Sequence, residues 1–264
     1  MAGRVITINL RFLISGVVLT TLLVFSFGTA LAVAVRGQGL GTLELADLLA
    51  IRFTLFQAFI STILSVSLAV PVARALSRQA FIGRRALITL LGAPFILPVL
   101  VGVLGLLAVY GRSGWFNDLF SFFGLGRLSI YGAPGVILAH VFFNLPLATR
   151  LLLQSWSAIP AERFRLTDSL GAKPRVSFYL IEWPMLRNAL PGAFVLIFLL
   201  CLSSFAVALA LGGGPRGTTI ELAIYQAFRF DFNLGKAASL ALLQFSICGV
   251  VAFFALLVPL PKTD

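Results

Sequence analysis

Six stretches of roughly twenty mostly apolar residues, near 12–35, 53–76, 86–110, 134–156, 190–211 and 237–259, decide what this chain can become. A bilayer core is about 30 Å thick and a helix rises about 1.5 Å per residue, so each stretch has the length of one crossing. Backbone amides find no water inside lipid, and a helix satisfies them within the segment itself. Composition agrees: 59% of the 264 residues are hydrophobic and only 11% charged, outside the range of soluble domains. The expected fold is an all-α integral membrane protein with six transmembrane helices. Ala30 and Ala32 imitate a signal-peptidase site, but the apolar run before them exceeds the about 7–15 residues of a signal, so an uncleaved first helix is expected. Cys201 and Cys248 fall inside apolar windows with no companion ligands, which makes them packing residues rather than a metal site or a disulfide.

A net charge of +11 raises the question of nucleic acid, and the distribution of that charge answers it. With the amino terminus placed in the cytoplasm, thirteen of the twenty Lys and Arg residues fall on the inner side and seven on the outer. Short loops biased in this way set membrane orientation. Basicity therefore predicts both termini in the cytoplasm and implies no nucleic-acid partner.

The longest inner loop runs from about Ser157 to Asn188 and contains the stretch DSLGAKPRVSFYLIEWPML. Pro160 suits the first turn of a helix and Glu162 the positive end of its dipole. Gly171 can close that helix in a left-handed conformation. Pro174 can open a second helix carrying the i,i+4 pairs Val176–Leu180 and Tyr179–Trp183 and the i,i+3 pair Phe178–Ile181, until Pro184 stops it. The surface of this helix–Gly–helix knob mixes Arg163, Arg165, Lys173 and Arg175 with Phe164, Leu170, Phe178 and Tyr179. Such a surface suits either a partner's cleft or a bed of lipid headgroups.

Within the spans, Gly92, Pro94, Pro98, Gly102 and Gly105 cluster in the third window, and Asn144 and Pro146 interrupt the fourth. Such breaks suit a gate hinge, but Gly and Pro are common in membrane helices for packing alone, which is the reading preferred. His140, the ionisable residue deepest in a window, fits a solute pathway or a hydrogen bond across a helix interface. Tyr110, Trp115, Phe142, Phe143 and Phe205 offer rings to an organic cation, against a background of 25 Phe. The run GGGP at 212–215 lacks the Gly-Lys-Ser/Thr ending of a phosphate cradle, so it reads as a helix stop. A short outer helix is expected from Thr218 to Phe228, begun by Thr218 or Thr219 with Glu221 in its first turn.

The spacing around Gly171 resembles a motif in the membrane subunits of binding-protein-dependent (type I) ABC importers: Glu-Ala-Ala, three residues, Gly, nine residues, then Ile-x-Leu-Pro. Gly171, Ile181 and Pro184 match it; Arg165, Leu166 and Thr167 replace the Glu-Ala-Ala, and Trp183 replaces the Leu. Longer runs, PFILPVLVGVLGLLAVYGRSGW from Pro94, AHVFFNLPLATRLLLQ from Ala139 and SFAVALALGGGPRGTTIELAIYQAF from Ser204, are similar to the first half of the thiamine permeases within that family. The resemblance implies a type I permease domain over 53–264, preceded by a segment 1–52 that holds the amino terminus, the first helix and an outer loop. It implies that Arg165, Leu166, Thr167, Leu170, Gly171, Ala172, Lys173, Ile181 and Pro184 couple to a cytoplasmic ATPase dimer. It further implies a second permease half or subunit, a periplasmic solute-binding protein meeting Arg112, Arg216, Arg229 and Asp231, and a pathway or gate at Pro94, Pro98, His140, Asn144 and Pro146. On this reading the chain lies multi-pass in a bacterial inner membrane, is not an enzyme and binds no cofactor, ATP being used by the partner ATPase. The implied solute is thiamine or its phosphate esters, with iron(III) as the alternative cargo of related permeases.

Two rival classes fit the residues less well. An ion-coupled secondary transporter calls for intramembrane carboxylates, whereas the Asp and Glu residues fall in expected loops and termini. A membrane enzyme calls for a converging set of nucleophile, base or metal ligands, which one His and two Cys do not supply.

Overall fold

A computed structural model describes residues 10–36, 39–214 and 217–256; Arg4, Pro215, Arg216 and Lys262 lie outside the described residues. The described residues form thirteen α-helices and no strand: α1 Leu10–Arg36, α2 Leu45–Arg78, α3 Arg84–Leu90, α4 Ala93–Ile96, α5 Val99–Tyr110, α6 Trp115–Phe122, α7 Ala133–Ser157, α8 Ala161–Ser169, α9 Pro174–Ser177, α10 Trp183–Leu202, α11 Phe205–Leu211, α12 Ile220–Arg229 and α13 Leu234–Leu256. A π-helical turn, Phe178–Glu182, joins α9 to α10. Five helical segments are long and apolar enough to cross a membrane: Leu45–Arg78, Val99–Phe122, Ala133–Ser157, Pro174–Leu202 and Leu234–Phe254. With α1, whose apolar stretch is Leu13–Thr29, they make an all-helical membrane architecture.

The centre of the bundle is α2, which packs along α7 and α10. Its buried stripe consists of small residues: Ala58, Ser61, Thr62, Ser65, Ala69 and Ala73 are each 0% exposed. Small side chains recurring every three or four positions let helix backbones approach closely where lipid offers no hydrophobic drive between helices. Ala148, Leu152 and Trp156 of α7 and Leu186, Ala193 and Ile197 of α10 fill the same core. Outside this core many large apolar side chains face outward, such as Phe25, Phe59 and Phe254. A lipid-facing surface requires this.

Two expected spans and one expected helix end differ from the structure. The window at 86–110 is not one rod: α3, α4 and α5 are separate, and Leu97 and Pro98 between the last two are extended at ψ 130 and 132. Pro98 opens α5 because its missing N–H costs nothing in a first turn. The window at 190–211 also breaks, ending α10 at Leu202 and restarting as α11 at Phe205. Pro184, expected to stop the second knob helix, sits instead in the first turn of α10, so helical backbone continues from Pro174 to Leu202. A π turn precedes it: Trp183 N–H bonds Phe178 O across five residues, and the chain goes on helically past Pro184, whose missing N–H costs nothing in the first turn of α10.

Candidate functional site

The knob occupies one end of the bundle, called here the loop end. Pro160 precedes α8, Glu162 lies in its first turn, and Gly171 follows its last with φ 67. Gly171 N–H bonds Asp168 O at 3.0 Å and Ala172 N–H bonds Thr167 O at 3.0 Å, the paired closure of a Schellman motif. A Cβ at Gly171 would meet nothing within 4 Å, so its requirement is conformational. Leu170 at 84% exposed is the most open large apolar side chain here, with Leu166, Tyr179 and Leu180 also exposed. Arg165 and Lys173 are exposed beside them; Thr167, Ala172 and Ile181 are half-buried, and Pro184 is exposed.

Beneath the knob lies a residue that sequence reasoning missed. Glu182, the last residue of the π turn, has a side chain 1% exposed and accepts from Arg74 Nε at 2.7 Å. Arg74 Nη2 reaches its other oxygen at 3.4 Å, Arg78 Nε stands at 4.0 Å, and Trp156 Nε1 donates at 3.3 Å. The same guanidiniums lie over rings of the knob: Arg74 is 5.0 Å from the Phe178 centroid and Arg78 4.1 Å from that of Phe164. An acid within an apolar helical run, opposite an i,i+4 arginine pair at the end of another helix, was the available signal. Its burial corrects the expectation that the Asp and Glu residues fall in loops and termini. Paired with arginines at the bundle's end, Glu182 is no mid-membrane ion-coupling site.

The second region is the pair of helix breaks. A cavity of about 250 Å³ lies between them, lined by Pro94, Leu97, Val99, His140, Phe143, Asn144, Leu200, Ser203, Ser204, Phe205, Ala206 and Val207. Of the expected pathway residues, Pro94, His140 and Asn144 line it and Pro98 forms the adjoining break. Pro146 is buried within α7 and does not line it. Of the five rings considered, Phe143 and Phe205 line it; Tyr110, Trp115 and Phe142 do not. Gly102 lets α5 approach, since a Cβ there would fall 2.5 Å from Phe143 Cζ.

Ending α10 at Leu202 frees backbone carbonyls in an apolar setting, and neighbouring helices satisfy them. Gln57 Nε2 on α2 donates to Cys201 O at 2.9 Å, and Ser204 Oγ donates to the same oxygen at 3.3 Å. Gln244 Nε2 on α13 donates to Leu202 O at 3.1 Å. Asn144 Nδ2 donates to Cys201 Sγ at 3.2 Å, and His140 Nδ1 pairs with Ser61 Oγ at 3.3 Å. His140 Nε2 is buried without a hydrogen-bond partner among the described residues. From α12, Glu221 accepts backbone hydrogen bonds from Phe205 and Ser204; burial pushes its carboxyl above the usual range and these bonds pull it partly back. The sequence placed α12 closely: Thr219 caps it by accepting from Leu222 N–H at 3.4 Å, and it runs to Arg229.

At the far end, Arg112, Arg229 and Asp231 are exposed and Arg216 lies outside the described residues. Asp231 lines a cavity of about 500 Å³ with Tyr225, Phe230, Asp47 and Lys236. Lys236 Nζ fastens α13 to the start of α2 through Glu44 at 3.1 Å and Asp47 at 3.3 Å. Arg112 and Arg229 do not line that cavity.

No family model matches the chain. The Salmonella typhimurium thiamine transport system permease protein ThiP is 52% identical over 199 residues, covering 75% of this chain and 37% of that protein. The Brucella abortus protein of the same name is 40% identical over 256 residues, covering 94% and 47%. The Azotobacter vinelandii molybdenum transport system permease protein ModB is 31% identical over 178 residues, covering 67% of this chain and 78% of that one. The chain belongs to the permease family of type I ABC importers. Solved structures show the same fold: a bacterial alginate ABC transporter complexed with its alginate-bound periplasmic protein (TM-score 0.74, 17% identity, 92% of both chains), and the inward-facing MetNI methionine ABC transporter (TM-score 0.60, 15% identity, 78% of this chain and 91% of that one). This permease spans less than half the length of the thiamine permeases it matches.

Proposed function

We propose that this permease forms one half of the membrane passage of an ATP-driven importer that carries thiamine or its phosphate esters to the cytoplasm. The observation that carries this reading is 52% identity to a thiamine transport permease over 199 residues. A periplasmic binding protein delivers the solute, and a second permease half, continuous or separate, completes the passage. ATP is hydrolysed on a separate cytoplasmic ATPase dimer, not on this chain. The thirteen-to-seven basic bias supports a cytoplasmic knob and cytoplasmic termini.

In this reading the residues around Gly171 seat in the ATPase, with exposed Leu166, Leu170 and Tyr179 supplying apolar contact and Arg165 and Lys173 supplying charge. ATPase closure moves the knob, and the helices around the breaks at Leu97–Pro98 and Ser203–Ser204 reorient. The solute passes by the cavity between them, where Phe143 and Phe205 offer ring faces to a thiazolium cation and Asn144 and His140 offer polar atoms. Cells that depend on this importer are expected to lose uptake of labelled thiamine, and to keep iron(III) uptake, when its gene is deleted. Loss of iron uptake with thiamine uptake intact would replace the assignment with an iron permease.

A further inference from the structure

The loop end contains more than a docking surface. Arg74 and Arg78 stand one turn apart at the end of α2, and each has two engagements. Arg74 binds the Glu182 carboxylate and covers the Phe178 ring; Arg78 approaches the same carboxylate and covers the Phe164 ring. Phe178 belongs to the knob's second limb and Phe164 to its first, so α2 holds both limbs, and Trp156 adds a bond from α7.

This arrangement is a poor way to gain stability. A carboxylate taken out of water loses hydration that its partners only partly replace, and buried ion pairs are often replaceable by apolar residues at no loss. The side chains of Arg74 and Arg78 are 41% and 38% exposed, so the arginines keep part of their water while Glu182, at 1%, keeps almost none. What the cluster supplies is direction: a bidentate guanidinium–carboxylate contact fixes orientation as well as distance. The π turn contributes, since one extra residue in that turn changes which face of the continuing helix Glu182 occupies.

The helix holding this cluster also reaches the end of α10 beside the cavity, although none of its residues lines that cavity. Gln57 lies seventeen residues before Arg74 on α2, about 25 Å along the axis, and bonds Cys201 O where α10 breaks. α2 thus touches the knob at one point and the mid-bundle break at another, and its small-residue stripe packs it between α7 and α10.

We infer that Glu182 is a positioning residue that joins the knob to α2 through Arg74 and Arg78, and that α2 carries the knob's displacement to the break at Ser203–Ser204. This rests on the importer reading above. It assigns Glu182 no contact with solute or nucleotide.

The test uses the complete permease with its second half, its ATPase and its binding protein, reconstituted in vesicles with labelled thiamine. Four quantities are measured for wild type, Glu182→Gln, Arg74→Gln and the double variant: permease level, ATPase co-purification, the stimulation of ATP hydrolysis by the loaded binding protein, and uptake. The joint predicts that Glu182→Gln keeps permease level and co-purification while stimulation and uptake fall tenfold or more. Normal stimulation in Glu182→Gln overturns it. If that variant fails to accumulate, the double variant, in which no charge is left unpaired between these two positions, becomes the arbiter: accumulation without stimulation supports the joint, and accumulation with normal stimulation overturns it. Absent stimulation in wild type would instead mark failure of the importer reading. Thermal unfolding of the four permeases in detergent still reads the Glu182–Arg74 coupling in that case, and additive shifts in the two singles and the double would overturn the contact itself.

Discussion

The loop end and the mid-bundle break solve the same problem with different chemistry. Each interrupts a regular helix, and each needs polar groups from neighbouring helices to hold the interruption in place. At the loop end the fasteners are full charges, Arg74 and Arg78 on Glu182, and the arginines retain contact with solvent. At the break the freed carbonyls of Cys201 and Leu202 are held by neutral amides, Gln57 and Gln244. The contrast follows from solvation: an ion deep in an apolar medium costs far more than an amide, whereas near water a guanidinium is half hydrated already. Charge holds the loop end, where it can be kept wet, and amides hold the carbonyls of the break, where it cannot.

The loop end responds most strongly when one charge is removed and the other left behind. Arg74→Ala strands a fully buried carboxylate with only the longer Arg78 approach and Trp156, and should cost about 2–3 kcal/mol, the full cost of a broken buried pair being reduced by the exposure of Arg74. Thermal unfolding in detergent measures it. Glu182→Ala should cost less, because the two arginines it frees already reach solvent. Equal costs would mean that burial asymmetry does not govern this cluster.

Gly171→Val tests the knob through backbone geometry alone. A β-branched residue held at φ 67 costs about 1–2 kcal/mol, and the open space around Gly171 leaves no steric contribution. Permease level should persist while ATPase co-purification and uptake fall, and Gly171→Asn should retain part of both, since Asn visits the left-handed region more readily. A loop that merely rests on headgroups would leave all three versions alike.

At the break, Gln244→Leu should cost about 1 kcal/mol by leaving Leu202 O without its donor, a loss moderated because Gln244 Oε1 is itself buried without a partner among the described residues. Gln57→Leu should cost less, because Ser204 Oγ still donates to Cys201 O. A reversed order in thermal unfolding would show that the two carbonyls are not held as described.

The smallest effect concerns pH. Burial raises the Glu221 carboxyl above its ordinary value of 4.5, so the folded state favours the protonated form. Its contribution to stability is therefore fully present below that ordinary value and is lost as pH rises through the folded value. Glu221→Gln should flatten the pH dependence of unfolding in that window. An unchanged slope would remove Glu221 from the junction between α11 and α12.

Much of this architecture was legible in the residues. Six apolar windows declared a multi-span helical protein, Gly171 declared the left-handed stop between knob limbs, and Thr219 with Glu221 declared the start of α12, because each signal is local and rests on hydropathy or backbone preference. The breaks were harder. Ser203–Ser204 contains neither Pro nor Gly, and what stabilises it is a set of donors from residues 57 and 244, distant in sequence. Pro184 misled for the converse reason: a local stop signal was overridden by a π turn that only the backbone path reveals. Glu182 was hidden because its partners lie on α2, 108 residues earlier for Arg74.

Import coupled through Glu182 stands most directly on one measurement: uptake of labelled thiamine into vesicles holding the complete permease, with the ATPase exposed on the side of the knob and the loaded binding protein on the other. It predicts accumulation that requires both ATP and the binding protein, and that falls tenfold or more in Glu182→Gln at matched permease and ATPase levels. Accumulation without ATP, driven by an imposed ion gradient, or ATP-driven uptake indifferent to Glu182→Gln, would contradict it.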